Sequence, residues 1–201
     1  MNNDDKIEQI KRWLGTGSVN IFGLPYSGKD TVGKRLAIDL GAEFLSSGDL
    51  LRAVNEKDQE SGQLSPTNVF YDVVLPAFAR PEFNDKPLIL SSIGRWQGEE
   101  QRVMEATNTN NHPIKAVISL NISKDEVQRR YRISLRLGDR SNRADASDEK
   151  IATRLKEYKT KTLPVINTYR QMGLLIEVNG EQSRDAAYDD VVNELFDFTN
   201  T

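Results

Sequence analysis

The stretch "SVNIFGLPYSGKDT", residues 18–31, decides the fold of this 201-residue chain. A short apolar run leads into a loop in which four residues separate Gly23 from Gly28, and Lys29 then opens an amphipathic helix. At that spacing, backbone N–H groups point inward at a helix N-terminus, where they bind phosphate oxygens. Lys29 can reach the outer phosphates of a nucleotide. The stretch therefore predicts a nucleotide-phosphate site between a strand and a helix.

The loop departs from the usual pattern directly after its lysine. The strict pattern has Ser or Thr there, whereas this chain has Asp30, with Thr31 next. A carboxylate beside a triphosphate is repelled, although a helix N-terminus offsets that by about 0.3–1 kcal/mol. A bound magnesium ion would reverse the sign, because the ion is then the largest local charge. Asp30 is thus either a metal-orienting carboxylate or a residue that only charges the helix start.

Further apolar runs, separated by helical patterns, extend the fold outward from this loop. Continuous apolar runs are typical of strands in a parallel sheet that is covered on both faces. We therefore predict a three-layer, doubly wound α/β fold with a central first strand. Its five parallel strands would be 18–24, 42–46 (the weakest), 87–92, 115–121 and 174–179.

Single residues predict where helices begin and end. Gly41 is expected to end the helix that follows the phosphate loop, and Ser147 to cap the start of a later one. Pro164 is expected to break or kink that later helix, because proline lacks the backbone N–H that the helix needs. Gly173 should end the continuation. Ligands of such sheets bind beyond the carboxyl ends of the strands, where the phosphate loop lies.

Composition excludes several classes of protein. The chain has 27 Lys and Arg against 30 Asp and Glu, a net charge of −3, and no cysteine. This balance gives no overall attraction to nucleic acid or to a membrane surface, and disulfides and thiolate metal sites are impossible. No run approaches the roughly 20 apolar residues of a membrane span, and the polar N-terminus does not resemble a signal peptide. We expect a single domain over residues 1–201, a monomer in the cytoplasm.

Three further segments follow the predicted strands and carry recognisable motifs. They are "SSGDLLR" (46–52), "LILSSIGR" (88–95) and the long segment 138–180, which contains "RADAS", "RLKEY", "TLP" and "YRQMGLL". Together with the phosphate loop they resemble the adenylate kinase / nucleoside monophosphate kinase family. That family carries G-x-P-x-x-G-K-G-T, S-T-G-D-x-L-R, D-G-F-P-R, R-x-D-D, R-L-x-x-Y, T-x-P and Y-Y-x-x-x-G-x-L in this order. The resemblance covers almost the whole chain.

The resemblance implies a P-loop NTPase-type fold, an acceptor-binding insert at about 46–80 and a short lid at about 133–145. It also implies magnesium-dependent transfer of a phosphoryl group from ATP to a nucleoside monophosphate, AMP first, giving two diphosphates. By motif position, the ATP-binding residues would be Gly23, Ser27, Gly28, Lys29, Asp30, Thr31 and Arg130. The acceptor-binding residues would be Ser47, Gly48, Arg52, Arg95 and Glu99. The catalytic residues would be Lys29, Arg95, Arg143, Arg154 and Asp145, the last positioning the arginines.

The chemistry of phosphoryl transfer suits this set of side chains. The reaction needs in-line positioning and neutralisation of charge on the phosphate oxygens. Arginine provides both, because its planar fork binds two oxygens and stays charged. An alternative interpretation stays open for one predicted helix face, namely that it is simply an ordinary solvated surface formed by Arg129, Arg132 and Arg136.

The chain also departs from the family pattern. The aspartate of D-G-F-P-R, which holds magnesium through its waters in the family, aligns with Ser91, and the stretch after Arg52 is shortened. We hypothesise that Asp30, with Asp49, orients the magnesium waters instead. Two other functions remain open: a nucleotide-binding module with lost or weak catalysis, and a P-loop kinase for a different small acceptor.

Glu99 occupies the position of a family glutamine that reads adenine. A carboxylate only accepts hydrogen bonds, so Glu99 would favour bases with an exocyclic amine over uracil or thymine. The alternatives are that Glu99 faces solvent or that Gln101 reads the base. His112 is expected to lie in a surface loop. Trp96 is expected to pack against other side chains.

Overall fold

The computed structural model describes residues 2–54, 63–137 and 147–201. Its sheet has five strands, all parallel, in the order β2-β3-β1-β4-β5, and the first strand is central as predicted. The strands are β1 (Ser18–Gly23), β2 (Glu43–Ser46), β3 (Leu88–Ser91), β4 (Ile114–Asn121) and β5 (Leu175–Asn179).

Helices cover both faces of the sheet. Neighbouring residues of a strand point to opposite faces, so Ile21 and Phe22 of β1 belong to two separate apolar cores. The first core includes the first, second and last helices, and the other includes the helices between β2 and β4 and the one before β5. The described helices are α1 (Asn3–Leu14), α2 (Lys29–Leu40), α3 (Ser47–Val54), α4 (Thr67–Val73), α5 (Glu99–Thr109), α6 (Lys124–Arg136), α7 (Asp148–Glu157), α8 (Leu163–Gln171) and α9 (Arg184–Phe198).

The predicted helix ends are confirmed. Gly41 ends α2 with a φ of 63°, and the Ser147 side chain accepts a hydrogen bond from the Lys150 N–H at the start of α7. The irregularity expected at Pro164 is a π-helical turn, Tyr158–Thr162, that joins α7 to α8. A wide turn at this place accommodates the missing N–H and the ring of the proline without ending the helical run.

The strand register brings the carboxyl ends of three strands to one edge. Ser91 at the end of β3 pairs with Ser46 at the end of β2 and with Ile21 near the end of β1. The loops that leave these strands therefore start within a few ångströms of one another. This edge carries the phosphate loop.

The expectation of a surface loop at His112 is wrong. The residue is 2% exposed, its Nδ1 lies 3.0 Å from the Thr16 carbonyl oxygen, and its own carbonyl accepts a hydrogen bond from the Ser18 hydroxyl. It lies at the amino ends of β1 and β4, whereas the phosphate loop lies at the carboxyl ends of the strands. His112 thus packs between the amino ends of two strands.

The predicted insert and lid are only partly described. The insert contains α3 and α4, while the first residues of the predicted lid, 133–136, form the last turn of α6. Residues 138–145 of the predicted lid, with Arg143 and Asp145, lie outside the described residues. Among the described residues, we find no helix long and apolar enough to cross a membrane.

Candidate active site

Glycine is required at two positions of the phosphate loop. A Cβ on Gly23 would lie 2.4 Å from the Ser27 hydroxyl and 2.9 Å from the Leu120 carbonyl oxygen. Gly28 has a φ of 93°, and Tyr26 also adopts a left-handed backbone, with a φ of 64°. Such turns just before a helix direct successive N–H groups to one side. The loop therefore forms an anion cradle at the N-terminus of α2.

One cleft brings together predicted residues from four segments of the chain. The phosphate loop, the start of α3, the end of β3 with the residues after it, and α7 all line this cleft. Its lining includes Gly23, Gly28, Lys29, Asp30, Thr31, Ser47, Gly48, Arg52, Ser91, Arg95 and Arg154. The structure thus brings most of the predicted donor and acceptor residues to the same edge of the sheet.

Three arginines, Arg52, Arg95 and Arg154, line this cleft. Burial, followed by the charge of Arg154, lowers the pKa of Arg95 to about 10. Arg52 acts in the same direction, while Glu99 and Asp30 oppose it. Arg95 is still charged at neutral pH, so positive charge accumulates here against its own repulsion. A phosphate group bound among the three side chains would relieve that repulsion.

The start of α3 forms the opposite wall of the cleft. The buried Ser47 hydroxyl donates to the Ser92 carbonyl oxygen over 2.7 Å, which ties α3 to the loop after β3. A Cβ on Gly48 would lie 3.2 Å from the Arg52 guanidinium, so a small residue leaves that group room. Asp49 forms an ion pair with Arg52 and is 59% exposed. Asp49 is not among the described residues that line the cleft.

Asp30 and Ser91 meet directly, although they are 61 positions apart in the sequence. The Ser91 hydroxyl donates to Asp30 Oδ1 over 2.5 Å, so the Asp30 carboxylate lies beside the end of β3. Ser91 is the position at which the resemblance expects a metal-orienting aspartate. The Asp30 carboxylate and the hydroxyl of Thr31, which lines the same cleft, are oxygen groups of the kind that magnesium or its waters prefer. These residues fit a magnesium ion.

Arg130 braces the phosphate loop. Its guanidinium donates to the carbonyl oxygens of Tyr26 and Ser27 in the loop and, over 2.6 Å, to that of Gly180 after β5. Glu126, one turn earlier on α6, accepts from its Nε over 2.5 Å. Arg130 thus joins the loop to the β5–α9 connection.

Replacing Glu126 by glutamine should destabilise the protein in a pH-dependent way. Hydrogen bonds from Arg129, with that from Arg130, hold the pKa of Glu126 at about 2, against the opposing effect of burial. Because the folded-state pKa lies below the ordinary 4.5, the stabilisation is present above about pH 4.5 and is lost as pH falls through 2. Thermal melts of wild type and Glu126→Gln should differ at pH 7 and converge in acid.

The exposed pair of Glu105 and Arg102 offers a matched control, since Glu105→Gln removes a carboxylate that is 67% exposed. Its melting temperature should follow that of the wild type at every pH. Equal melts for Glu126→Gln and Glu105→Gln at pH 7 would contradict the role given to Glu126.

Glu99, the first residue of α5, is buried beside the backbone of Arg95. It is 2% exposed, and its Oε2 accepts from the backbone N–H groups of Arg95, over 2.8 Å, and Trp96, over 3.0 Å. Burial raises the pKa of Glu99. Its Oε1 is buried and meets the geometry of a hydrogen bond with none of the described residues, although the Thr67 side chain lies close enough to oppose the rise of the pKa. The alternative that Glu99 faces solvent is wrong, and Gln101 is exposed on the outer surface of α5.

The structure adds cleft residues to those predicted. Glu157, Tyr158 and Thr162 line the cleft beside Arg154, and Leu64, which precedes α4, lines it as well. The sequence could have indicated two of these residues, because Tyr158 belongs to the R-L-x-x-Y motif and Thr162 to the T-x-P motif. Leu64 had no such signal, because only the folding of the chain brings it to the cleft.

Comparison with known proteins identifies the family. The family model described as adenylate kinase matches residues 21–174. The chain is similar to adenylate kinases from Phocaeicola vulgatus, 27% identical over 87% of this chain and 96% of the relative, and from Bacillus subtilis, 24% identical over 87% and 96%. It is also similar to adenylate kinase isoenzyme 1 from Oryctolagus cuniculus, at 29% identity over 87% and 92%. The matched region contains the phosphate loop and the arginines of the cleft, and the chain belongs to the adenylate kinase family.

Proposed function

We propose that the protein transfers the terminal phosphoryl group of ATP to a nucleoside monophosphate, with AMP the first candidate, and gives two diphosphates. Membership of the family makes it a nucleotide phosphotransferase. The observation that carries the finer proposal is the arrangement of Arg52, Arg95 and Arg154 in the same cleft as the phosphate loop. A cleft with a phosphate cradle at one wall and an arginine cluster at the other suits two phosphorylated substrates.

The residues divide into three tasks. The N–H groups of the phosphate loop and Lys29 hold the donor phosphates, and Arg52 with Arg95 holds the acceptor phosphate. Arg154 lies close enough to shift the pKa of Arg95, so it can neutralise charge on the group in transfer. We assign Arg143 to the same task, and Asp145 to positioning the arginines. The attacking acceptor oxygen is the phosphate's own, so alignment and charge neutralisation are the main requirements.

Asp30 is proposed to orient the waters of a magnesium ion at the donor phosphates. When bound, magnesium neutralises the charge of the donor oxygens. Ser91 fixes the Asp30 carboxylate by its hydrogen bond. Asp49 was expected to assist, and in this proposal it would have to give up its ion pair with Arg52 to do so.

Acceptor choice is proposed to depend on Glu99. Because Oε2 is engaged by two backbone N–H groups, Oε1 is the atom left to accept from an exocyclic amine. The adjoining cavity is about 10 Å³, room for about one water, so a base would reach Glu99 only with a shift of the insert.

Glu99→Gln should relax the preference for amine-bearing bases. The amide oxygen can keep the two backbone hydrogen bonds, while the amide nitrogen turns the free position from an acceptor into a donor. We expect the wild type to prefer AMP over UMP by about tenfold in kcat/KM, and the variant to lose most of that preference. Gln101→Glu, on the outer surface, is the control and should change nothing. Equal rates with AMP and UMP that are unchanged in Glu99→Gln would remove Glu99 from the acceptor site.

Both other functions predict a result that differs from that of the proposed function in a single experiment. Each nucleoside monophosphate is incubated with ATP, with and without magnesium, and diphosphate formation is followed. A binding module would bind nucleotides and form no diphosphate, and a kinase for another acceptor would leave every monophosphate unchanged. The hydrogen bond of Asp30 and Ser91 favours the catalytic proposal, because a carboxylate is retained where the family's aspartate is missing.

We also propose a monomeric, cytoplasmic enzyme that binds no nucleic acid. The support is the net charge of −3 and a basic stretch on α6 whose one aromatic residue, Tyr131, is buried and therefore offers no stacking surface for a base. Sedimentation at micromolar concentration tests the oligomeric state.

A further inference from the structure

Residues 63–65, within the predicted acceptor-binding insert, are bound to the core through two backbone groups, one on Leu64 and one on Ser65. The Leu64 N–H donates to Glu157 Oε2 over 3.2 Å, and the Ser65 carbonyl oxygen accepts from the Trp96 indole N–H over 3.1 Å. Glu157 belongs to α7 and Trp96 to the loop after β3. Two separate parts of the core therefore hold the same short segment.

A single lysine joins these two contacts. Lys161 Nζ lies 2.5 Å from Glu157 Oε2 and 3.7 Å from the centroid of the Trp96 ring. The lysine and glutamate side chains are 24% and 13% exposed, so solvent and salt screen this pair less than an ordinary surface pair. A cation this close to an indole face adds a second attraction. The Lys161 ammonium thus fixes the orientation of both groups that bind residues 63–65.

Glu157 and Trp96, the two residues that bind residues 63–65, lie close in sequence to arginines of the cleft. Glu157 follows Arg154 by one helical turn, and Trp96 directly follows Arg95. Leu64 lines the same cleft as both arginines. A shift of residues 63–65 would therefore change the wall against which the acceptor phosphate lies. Lys161 itself lies in the π-helical turn, an irregularity that is frequent near functional sites.

We propose that Lys161, Glu157 and Trp96 form a latch that holds residues 63–65 in the position that shapes the acceptor-phosphate subsite. The inference rests on the proposed function and deepens it, because it names residues that position the acceptor without reacting. Lys161 and Trp96 act through the segment and are positioning residues. Loss of the latch should weaken acceptor binding and leave the donor site intact, since the phosphate loop makes none of these contacts.

The first test is hydrogen exchange of the peptides that span residues 63–66. Lys161→Met keeps the length of the side chain and removes the charge, whereas Lys161→Arg keeps a cation for both partners. Lys86→Met is the matched control, because Lys86 makes an ion pair of the same length, 2.5 Å, with Glu43 at the other end of the sheet. Exchange of the amides of residues 63–65 should become about tenfold faster in Lys161→Met alone. Unchanged exchange in Lys161→Met would overturn the latch.

The second test separates KM from kcat. In Lys161→Met the KM for AMP should rise about five- to tenfold, with the KM for ATP and kcat within about twofold of the wild type. Lys161→Arg should recover most of the AMP affinity. Equal losses in both KM values, or a lower kcat alone, would contradict a positioning role at the acceptor.

The two tests also distinguish failure of the latch from failure of the proposed function. If the wild type phosphorylates no monophosphate, the proposed function fails, and calorimetric AMP affinity replaces KM in the same three variants. An AMP affinity that is the same in the wild type and in Lys161→Met would then overturn the acceptor role of the latch. The exchange result applies in either case.

Discussion

Lys29→Ala is expected to lower turnover by about 10²–10³-fold, the usual cost of removing one preorganised group that stabilises transition-state charge. Lys29 stands at the first position of α2, in the cleft, where its ammonium can follow the phosphoryl group between donor and acceptor. Its effect should fall on kcat more than on the KM for ATP, because the loop N–H groups still bind the ground state. Steady-state rates of ADP formation from ATP and AMP measure this change.

Lys34→Ala is the control for that variant. Lys34 lies on the same helix, is exposed, and its Nζ contacts the Phe44 ring at 5.6 Å, away from the cleft. It should retain turnover within about twofold of the wild type, as expected for a surface substitution. Wild-type turnover in Lys29→Ala would show that the phosphate loop is not the donor site.

Exchanging the carboxylate between residues 30 and 91 should first lower and then restore activity. Asp30→Gly restores the glycine of the family's G-K-G-T loop but removes the carboxylate that Ser91 holds. We expect turnover and the magnesium response to fall by about 10–100-fold, the usual cost of losing a group that orients metal ligands. Adding Ser91→Asp to that variant returns a carboxylate to the same place and should recover most of the loss. ATP affinity, measured with and without magnesium, gives a second readout that does not depend on turnover.

Asp30→Asn keeps an acceptor for the Ser91 hydroxyl and removes only the charge, so it separates the two contributions. It should lose the magnesium response as Asp30→Gly does, while metal-free ATP binding stays the same or tightens because a repulsive charge is gone. If the magnesium titration of Asp30→Gly matches that of the wild type, Asp30 serves only the start of α2.

The sequence predicted those features that are encoded locally. The spacing of Gly23, Gly28 and Lys29 predicted the loop, and continuous apolar runs predicted the parallel strands. Helix ends at Gly41 and Ser147 were predicted for the same reason, because caps depend on the residues next to them. Pro164 predicted an irregularity, but whether the helix stops or widens is decided by packing on both sides of the turn.

Contacts between distant segments were the part that sequence did not contain. His112 has the flanking residues of a surface loop, and only the pairing of β1 with β4 buries it. The sequence suggested that Asp30 could replace the aspartate missing at position 91, yet the contact with Ser91 depends on how α2 packs beside β3. Trp96 was expected to pack against other side chains. Its hydrogen bond to Ser65 could not be predicted, because that contact depends on the folded position of a distant segment.

Phosphorus NMR of ATP and AMP with magnesium and the wild-type protein tests the central claim most directly. If the cleft transfers phosphoryl groups between nucleotides, the AMP and ATP signals should fall together while only ADP signals grow, and the reverse reaction should start from ADP alone. Free phosphate should stay at its background level, because the transferred group passes to a nucleotide and not to water. An unchanged spectrum with AMP and with every other nucleoside monophosphate, or release of inorganic phosphate without new diphosphate, would contradict the account.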